Sequence, residues 1–370
     1  MTTNQPVKRH TQGWELFRRY MERIPLAKPF WDEECESAAI KTLASGRWVK
    51  GPQGQAFGKE FAEWCGALAA APCQSGSAAL WAALKLFDIG PGDEVIVPGM
   101  TFISTATCVS LVGATPVFAD IEEDYWCICP KDVESKITEN TKAVIGVHLF
   151  GQPFSEKIRE ICDKHGLALI EDAAQAHGAM LNGKMAGSIG DVACFSFFPS
   201  KNMAVGGEGG MICTTRADLA DKLDRIVNHG RNENLESIEL GTNMRMSEVN
   251  AAIGRVQLKH VDEWVKKRNE NALKINHFTS VRENCVHGWH QLCVFSDEPE
   301  ALISRMNENE IDARGHYPLI LNKHAVYNEH FQHGTDLLVS ERISKKLVAI
   351  PVHPSLSETD IERINSVLNA

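Results

Sequence analysis

The sequence lacks the features that mark several classes of protein. Among its 370 residues, no apolar run approaches the roughly 18 residues that suggest a transmembrane helix. The first ten residues lack the apolar core of a signal peptide, so we expect a cytoplasmic protein. No internal repeat and no low-complexity segment is visible. Together these absences favour a globular chain that has no membrane partner.

Positive charge is also scarce. The chain has 38 Lys and Arg against 48 Asp and Glu, which gives a net charge of −10. No basic run is longer than Lys-Lys-Arg at 266–268, which we expect on the exposed face of a helix. Nonspecific binding to nucleic acid or to an anionic membrane requires positive charge. We therefore expect no nucleic-acid partner.

The cysteines show no pattern of paired ligands. Eleven are scattered along the chain, an odd number, and only Cys127 and Cys129 lie close together. No second cysteine or histidine pair stands at zinc-finger spacing. In a chain without a signal peptide such cysteines are typical of reduced, mostly buried thiols. We predict no metal site.

What the sequence does contain is an alternation of short apolar runs with helical patterns. The composition is 44% hydrophobic and 23% charged, which is ordinary for a globular protein. Such alternation predicts an α/β fold with a mainly parallel sheet between helices, and ligands bind there beyond the carboxyl ends of the strands. The predicted strands are residues 95–97, 115–120, 143–149, 167–172, 192–198 and 211–215.

After about residue 273 the pattern changes to that of a smaller α+β domain. Strands are predicted over 286–295 and 346–350, and helices over 299–309 and 357–368. A long helix over 247–272, with heavy charge in its second half, would bridge the two domains. We therefore predict three parts: an N-terminal arm over 1–30, a large domain over 31–260 and a small C-terminal domain over 261–370.

A lysine stands at the end of a predicted strand. Pro199 stops the aromatic-rich run 192–198 because proline has no N–H for a strand ladder, and Lys201 follows on a turn. Four glycines then fall within residues 206–210, where they permit close backbone approach. A lysine at the end of a buried strand is poorly hydrated, so its pKa falls, as a Schiff-base lysine requires. The alternative is a surface lysine in a loop between strands.

Two further segments have the chemistry of a binding site. Ser75, Gly76 and Ser77 lead directly into a strong helix former. A helix N-terminus has unpaired N–H groups and binds phosphate, although these serines could merely cap the helix. Asp172 ends a predicted strand, where a carboxylate either faces a ligand or caps the helix that follows.

These pieces occur together in one known family. The sequence resembles the DegT/DnrJ/EryC1/StrS family of pyridoxal-phosphate (PLP)-dependent sugar aminotransferases, from Ser45 to about Pro354. The resemblance implies fold-type I of the PLP enzymes and a homodimer with shared active sites. Six segments carry it: Ser75 to Leu80, Pro91 to Pro98, Gly113 to Asp120, Glu171 to Ala176, Ser196 to Asn202 and Gly241 to Met246.

The resemblance assigns roles to individual residues. It implies that Lys201 forms the Schiff base with the cofactor and then moves the proton, and that Asp172 pairs with the pyridine nitrogen. Phe102 matches the aromatic residue that stacks on the ring, and Gln175 matches a contact to the ring hydroxyl. Four residues match phosphate contacts, the last one supplied by the other subunit: Gly76, Ser77, Ser196 and Asn243.

The reaction that the resemblance implies is ping-pong transamination. An amino acid, by family habit L-glutamate, would donate an amino group to a keto- or aldehydo-sugar in cell-surface glycan or amino-sugar biosynthesis. The sugar is nucleotide-linked in many relatives and nucleotide-free in others, such as an oxidised 3-deoxy-octulosonic acid with a C8 aldehyde. Candidate substrate contacts are Trp48, Lys50, Arg231, Arg314, His316 and Tyr317.

Other activities remain as alternatives. Related enzymes with histidine in place of the lysine are sugar dehydratases, so Lys201 favours transamination. A cysteine desulfurase of the same fold type would need a reactive cysteine on a mobile loop, whereas Cys194 and Cys213 fall in predicted strands. A non-catalytic regulator would not need the lysine, and no output module is visible.

Overall fold

The structure is a computed structural model that describes residues 23–278, 280–328 and 336–370. Most of the predicted arm over 1–30, including the near-helical spacing of Trp14, Phe17 and Tyr20, lies outside the described residues. None of the helices within the described ranges is both long enough and apolar enough to cross a membrane.

Helices surround the sheets, and several of them begin at a side chain that accepts from a free N–H group. Asp32 Oδ1 accepts from Cys35 N at 2.8 Å, and Ser247 and Ser357 cap two later helices. The described helices are α1 (Glu33–Ala44), α2 (Pro52–Cys65), α3 (Gly76–Leu86), α4 (Ser104–Leu111), α5 (Pro130–Ser135), α6 (Lys157–His165), α7 (Ala217–Ile226), α8 (Glu248–Leu258), α9 (Val261–Ile275), α10 (Pro299–Glu308), α11 (Ala325–Asn328), α12 (Leu338–Ser344) and α13 (Glu358–Leu368).

A seven-stranded sheet forms the centre of the molecule, in the order β1-β9-β8-β5-β4-β2-β3. Only β9 runs against the other six strands, so the expected mainly parallel sheet is confirmed. Its strands are β1 (Ala69–Cys73), β2 (Glu94–Pro98), β3 (Thr115–Ala119), β4 (Thr141–Val147), β5 (Ala168–Asp172), β8 (Val192–Ser196) and β9 (Gly210–Thr214).

Two small sheets accompany the large one. The first has the order β10-β6-β7 and the second β11-β13-β12, with antiparallel pairs throughout both. Their strands are β6 (Met180–Leu181), β7 (Lys184–Met185), β10 (Cys285–Val286), β11 (Leu292–Phe295), β12 (Arg314–Gly315) and β13 (Leu347–Ile350).

Alternate residues of the large sheet enter two different hydrophobic cores. In β8, Val192 and Cys194 join one buried cluster, whereas Ala193 and Phe195 join another. Because successive side chains of a strand point to opposite faces, both faces of the sheet are covered. A third cluster draws mainly on α10, β11, β13 and α13, as expected for the C-terminal α+β part. The domain boundary at residue 260 stays a prediction.

Two predicted elements are wrong as single units. The helix predicted over 247–272 is interrupted between α8 and α9, where His260 N bonds to Gln257 O in a tighter turn and the His260 ring stacks on Trp264. The strand predicted over 286–295 is divided into β10 and β11. Gly288 and His290 donate instead to the loop after β4, which takes this stretch out of the sheet.

Candidate active site

A cavity of about 740 Å³ opens beyond the carboxyl ends of β4, β5 and β8 and beside the first turn of α3. This is the edge at which parallel sheets bind ligands. Ten residues predicted for the cofactor or the substrate line it: Gly76, Ser77, Phe102, Asp172, Gln175, Ser196, Lys201, Arg314, His316 and Tyr317.

Lys201 lies on the turn that follows β8. Its N–H donates to Phe198 O at 2.8 Å, and the next residue, Asn202, donates from Nδ2 to Gly288 O at 2.6 Å. Burial lowers the pKa of the Lys201 amine to about 8, against the negative charge of Asp172, which raises it. The lysine therefore has the lowered basicity that the sequence predicted, and far more of it is neutral near physiological pH than of an ordinary lysine.

The glycines after Lys201 serve a close approach between two elements of the chain. A Cβ on Gly210 would lie 2.4 Å from the backbone C and O atoms of Ser75, the residue that caps α3. Strand β9 thus passes directly against the start of α3. The sequence predicted that these glycines permit close backbone approach, and at Gly210 the close neighbour is Ser75.

Asp172 is buried at the end of β5 and held in one orientation. Thr105 Oγ1 donates to its Oδ2 at 2.9 Å, and Ala174 N donates to its Oδ1 at 3.2 Å. Burial raises the pKa of this carboxyl, while those two bonds and the charge of Lys201 oppose the rise. A cationic partner would relieve the desolvation of this carboxylate. The contact from Thr105 was missed, because a threonine inside α4 has no distinguishing sequence pattern.

Gln175 joins the large sheet to the C-terminal part of the chain. Its Oε1 accepts from Phe150 N at 2.6 Å, and its Nε2 donates to Tyr317 Oη at 2.8 Å. Burial raises the pKa of Tyr317, so its phenol stays protonated and retains a free O–H. The ring of Tyr317 lies 6.5 Å from that of Phe102, which is 54% exposed and forms the opposite wall.

The first turn of α3 forms a polar cradle. Ser75 Oγ caps the helix by accepting from Ala78 N at 3.1 Å, so the predicted capping role of Ser75 holds. Ser77 Oγ lies 2.8 Å from Ser104 Oγ, a further hydroxyl of the cavity that the sequence did not reveal. A Cβ on Gly76 would lie 2.8 Å from Ser196 Cβ, so only glycine leaves this space open.

The six substrate candidates divide into two groups. Arg314, His316 and Tyr317 line the cavity, whereas Trp48, Lys50 and Arg231 do not. His316 has both ring nitrogens engaged, with Gly315 O at 2.9 Å and with Gln291 Nε2 at 2.5 Å. Burial lowers its pKa to about 4, so the ring is neutral and serves to hold its loop.

The other three candidates lie on the exposed surface. Trp48 is 58% exposed and donates from its ring to Leu43 O, while Lys50 lines a second cavity and Arg231 is exposed. Asn243, the predicted phosphate contact, is exposed as well and lies outside the cavity of its own chain. A single chain therefore does not bring these four residues to Lys201.

The residues of the cavity fit PLP. Lys201 would provide the amine for the cofactor aldehyde, and the buried Asp172 would provide a carboxylate for the pyridine nitrogen. The first turn of α3, with the space left by Gly76, suits the phosphate. The thiols fit a desulfurase poorly, since burial raises the pKa of Cys194 and Cys213 well above the ordinary value.

Comparison with known proteins decides the family. The model of the DegT/DnrJ/EryC1/StrS aminotransferase family matches residues 29–369. The chain belongs to this family. Its relatives include dTDP-3-amino-3,6-dideoxy-alpha-D-galactopyranose transaminase from Aneurinibacillus thermoaerophilus, 36% identical over 92% of this chain and 95% of the relative. UDP-N-acetyl-3-dehydro-alpha-D-glucosamine 3-aminotransferase from Acidithiobacillus ferrooxidans is also 36% identical, over 91% and 93%.

A solved structure supports the same assignment. The crystal structure of DesV from S. venezuelae in complex with a ketimine intermediate superposes with a TM-score of 0.87 at 34% identity, over 90% of this chain and 93% of that one. The predicted family, the fold type, the enzyme class of sugar aminotransferase and the PLP cofactor are thereby confirmed. The roles of individual residues stay predictions that the geometry of the cavity supports.

Proposed function

We propose that this sugar aminotransferase moves the amino group of L-glutamate to a nucleotide-linked keto-sugar, for amino-sugar or cell-surface glycan biosynthesis in the cytoplasm. The observation that carries the proposal is the meeting of Lys201, Asp172 and the first turn of α3 in one cavity. The names of the two relatives, a dTDP-linked and a UDP-linked 3-amino-sugar enzyme, support a nucleotide-linked sugar aminated at carbon 3.

Bound PLP supplies an aldehyde that accepts amino groups and a ring that withdraws electrons from the reacting carbon. The residues of the chain then have separate tasks. Nζ of Lys201, with its pKa lowered to about 8, would take the proton from the α-carbon of the donor and deliver it to the cofactor carbon that bears the amino group. In the second half-reaction it would move a proton from that cofactor carbon to the sugar carbon that receives the amine. Asp172, fixed by Thr105, holds a negative charge where a protonated ring nitrogen needs one.

The cavity supports a sequential use of one site by the two substrates. One lysine and one carboxylate are available there for both the donor and the sugar, so in the proposed reaction the substrates use the same site in turn. The ketoacid product leaves before the sugar enters, which is a ping-pong sequence. A sugar dehydratase is disfavoured because Lys201 is present to perform the proton transfers.

We also propose a homodimer that completes each site. Asn243, Lys50 and Arg231 are exposed and lie away from their own cavity. The same surface has exposed apolar side chains, Leu235 at 71% and Leu240 at 80%, on the loop that leads to Asn243. A second copy would cover these side chains and bring Asn243 to the phosphate end of the partner's cavity.

A screen of half-reactions tests the function. The protein loaded with PLP is treated with L-glutamate, and the change in the cofactor absorbance is recorded. The aminated form is then separated from 2-oxoglutarate and offered dTDP-linked and UDP-linked 3-keto-sugars and a nucleotide-free octulosonic aldehyde. We expect glutamate to convert the cofactor and a nucleotide-linked sugar to restore it. Restoration by the nucleotide-free aldehyde alone would contradict the proposed sugar class, and no conversion by glutamate would contradict the donor.

A further inference from the structure

Arg314 is a cation on the cavity wall that has no acidic partner among the residues that the structure describes. Its backbone is fixed by the pairing of β12 with β13, opposite Ala349, and its side chain is exposed on the cavity. No carboxylate within residues 23–278, 280–328 and 336–370 forms an ion pair with it. Apart from Lys201, it is the one charged cation among the described residues of the wall, since burial keeps His290 and His316 neutral.

A nearby carboxylate could form an ion pair with Arg314. Asp312 precedes Arg314 by two residues and lines the same cavity. Asp312, however, already forms an ion pair with Arg23, whose Nε donates to Asp312 Oδ1. Arg23 also donates to Glu310 Oε2 at 3.1 Å and to Asn307 Oδ1 at 2.5 Å. One guanidinium thus binds three acceptors in the segment from the last turn of α10 to Asp312.

The backbone around Arg23 holds this arrangement in place. Ile24 N donates to Glu310 O and Asp312 N donates to Ile24 O, each at 2.9 Å, which pairs the two segments in parallel. Ile24 and Ile311 are both buried in the C-terminal core. Residues 25–27 then continue along the cavity wall. The described start of the chain is therefore part of the site.

We propose that Arg314 binds an oxyanion of the substrate, and that Arg23 is a positioning residue that keeps Arg314 available by holding Asp312. The inference rests on the proposed function, because both substrates of that reaction carry oxyanions: the carboxylates of the amino acid and the phosphates of the sugar nucleotide. Arginine binds either group through two parallel hydrogen bonds. The start of α3 and Ser196 already suit the cofactor phosphate, which leaves Arg314 for a substrate.

Loss of Arg23 has a specific electrostatic consequence. Asp312 would be released next to Arg314, where it would pair with the guanidinium and repel an incoming anion. A substitution of Arg23 should then weaken substrate binding, although Arg23 does not line the cavity and its guanidinium binds Asp312, Glu310 and Asn307. A second substitution that removes the charge of Asp312 should reverse the effect.

Four variants test this with the full-length protein loaded with PLP: Arg314→Gln, Arg23→Gln, Asp312→Asn and the double variant Arg23→Gln/Asp312→Asn. The half-reaction with L-glutamate and the half-reaction with a dTDP-linked or UDP-linked keto-sugar are followed separately, each as a function of substrate concentration. Glutarate, a dicarboxylate that cannot react, is titrated against the cofactor absorbance as a probe of binding alone. Thermal midpoints show whether each variant is folded.

We expect Arg314→Gln to raise the half-saturating concentration in at least one half-reaction by about 10- to 100-fold, with a small change in the maximal rate. An effect on L-glutamate and glutarate identifies a carboxylate as the ligand, and an effect on the sugar alone identifies the phosphates. Arg23→Gln should weaken the same substrate, and the double variant should recover most of the loss. The Asp312→Asn variant should bind at least as well as the wild type.

Two results would overturn the proposal. If Arg314→Gln is folded and leaves both half-reactions and glutarate binding unchanged, Arg314 binds no substrate oxyanion. If the double variant is as weak as Arg23→Gln, Arg23 does not act through the charge of Asp312. Failure of the proposed function gives a different result, because the wild type itself would then not react with either substrate.

Discussion

At the scale of single residues, the site depends on how two charges are desolvated. Lys201 and Asp172 lie in the same cavity. The charge of Asp172 raises the pKa of Lys201, and the charge of Lys201 lowers the pKa of Asp172, so each stabilises the charged form of the other. Burial opposes both effects because it favours the neutral forms. The type and position of both residues could be predicted from the sequence, since each follows a strand of a parallel sheet. Thr105 and Ser104 could not, because hydroxyl residues inside a helix are common and only the fold brings them to Asp172 and Ser77.

The lowered pKa of Lys201 leads to a prediction for the apoenzyme. Only the neutral amine attacks an aldehyde, and the folded-state pKa is about 8, below the value of 10.5 for a free lysine. The amine loses its proton as the pH rises through the folded pKa, so the rate of PLP uptake should rise with pH around a midpoint near 8. Stopped-flow absorbance over a range of pH measures that midpoint.

Asp172→Asn provides the matched control for this titration. The charge of Asp172 raises the pKa of Lys201, so its removal should move the midpoint to lower pH. The same substitution should lower the maximal rate of transamination by at least about 100-fold, because the ring nitrogen loses its anionic partner. A midpoint that stays at its wild-type value would show that the two side chains do not interact as described.

At the scale of elements, the packing of β9 against the start of α3 positions the cradle. Sequence periodicity located β9, α3 and the glycines near Lys201, yet it did not show which elements approach each other. Gly210 lies directly against Ser75, a contact between residues far apart in the chain that only the sheet order creates. The same limit applies to the helix predicted over 247–272: next to its interruption, the rings of His260 and Trp264 both pack against Phe30, which is distant in the sequence.

Gly210→Ala should disturb this contact. The added Cβ would lie 2.4 Å from the backbone of Ser75, so β9 and α3 must separate. We expect a loss of about 1–3 kcal/mol in the free energy of unfolding, together with weaker PLP binding. Gly207→Ala, in the loop that precedes β9, is the control, since its Cβ would meet Asn250 Nδ2 at an ordinary 3.5 Å. Denaturant titrations and PLP titrations of both variants measure the difference, and equal effects would contradict this role of Gly210.

At the scale of the whole molecule, a single chain does not bring all of its predicted site residues to the cavity that contains Lys201. The family and the fold type followed from six segments of sequence, and the comparisons confirm both. The positions of Trp48, Lys50 and Arg231 relative to a cavity were beyond prediction, because they depend on a surface that a single chain leaves exposed. For Asn243, the resemblance already implied a place at the site of the other subunit. The proposed homodimer gives these residues a place at the partner's site.

Complementation between inactive variants tests that shared site. Lys201→Ala and Asn243→Ala are each expected to have little activity alone. In a mixed dimer, one site would carry both substitutions and the other would be intact. Mixing equal amounts under conditions of subunit exchange should therefore restore up to about a quarter of the wild-type activity, because half of the dimers are mixed. No restoration, with exchange verified by mass spectrometry, would show that Asn243 serves the cavity of its own chain.

The most direct test of the account is the identity of the lysine that binds PLP. The protein loaded with PLP is reduced with borohydride, digested, and analysed by mass spectrometry for the phosphopyridoxyl adduct. We predict one adduct, on Lys201, and its loss together with the yellow colour in Lys201→Ala. An adduct on another lysine, or full transaminase activity in a colourless Lys201→Ala variant, would contradict the assignment of Lys201.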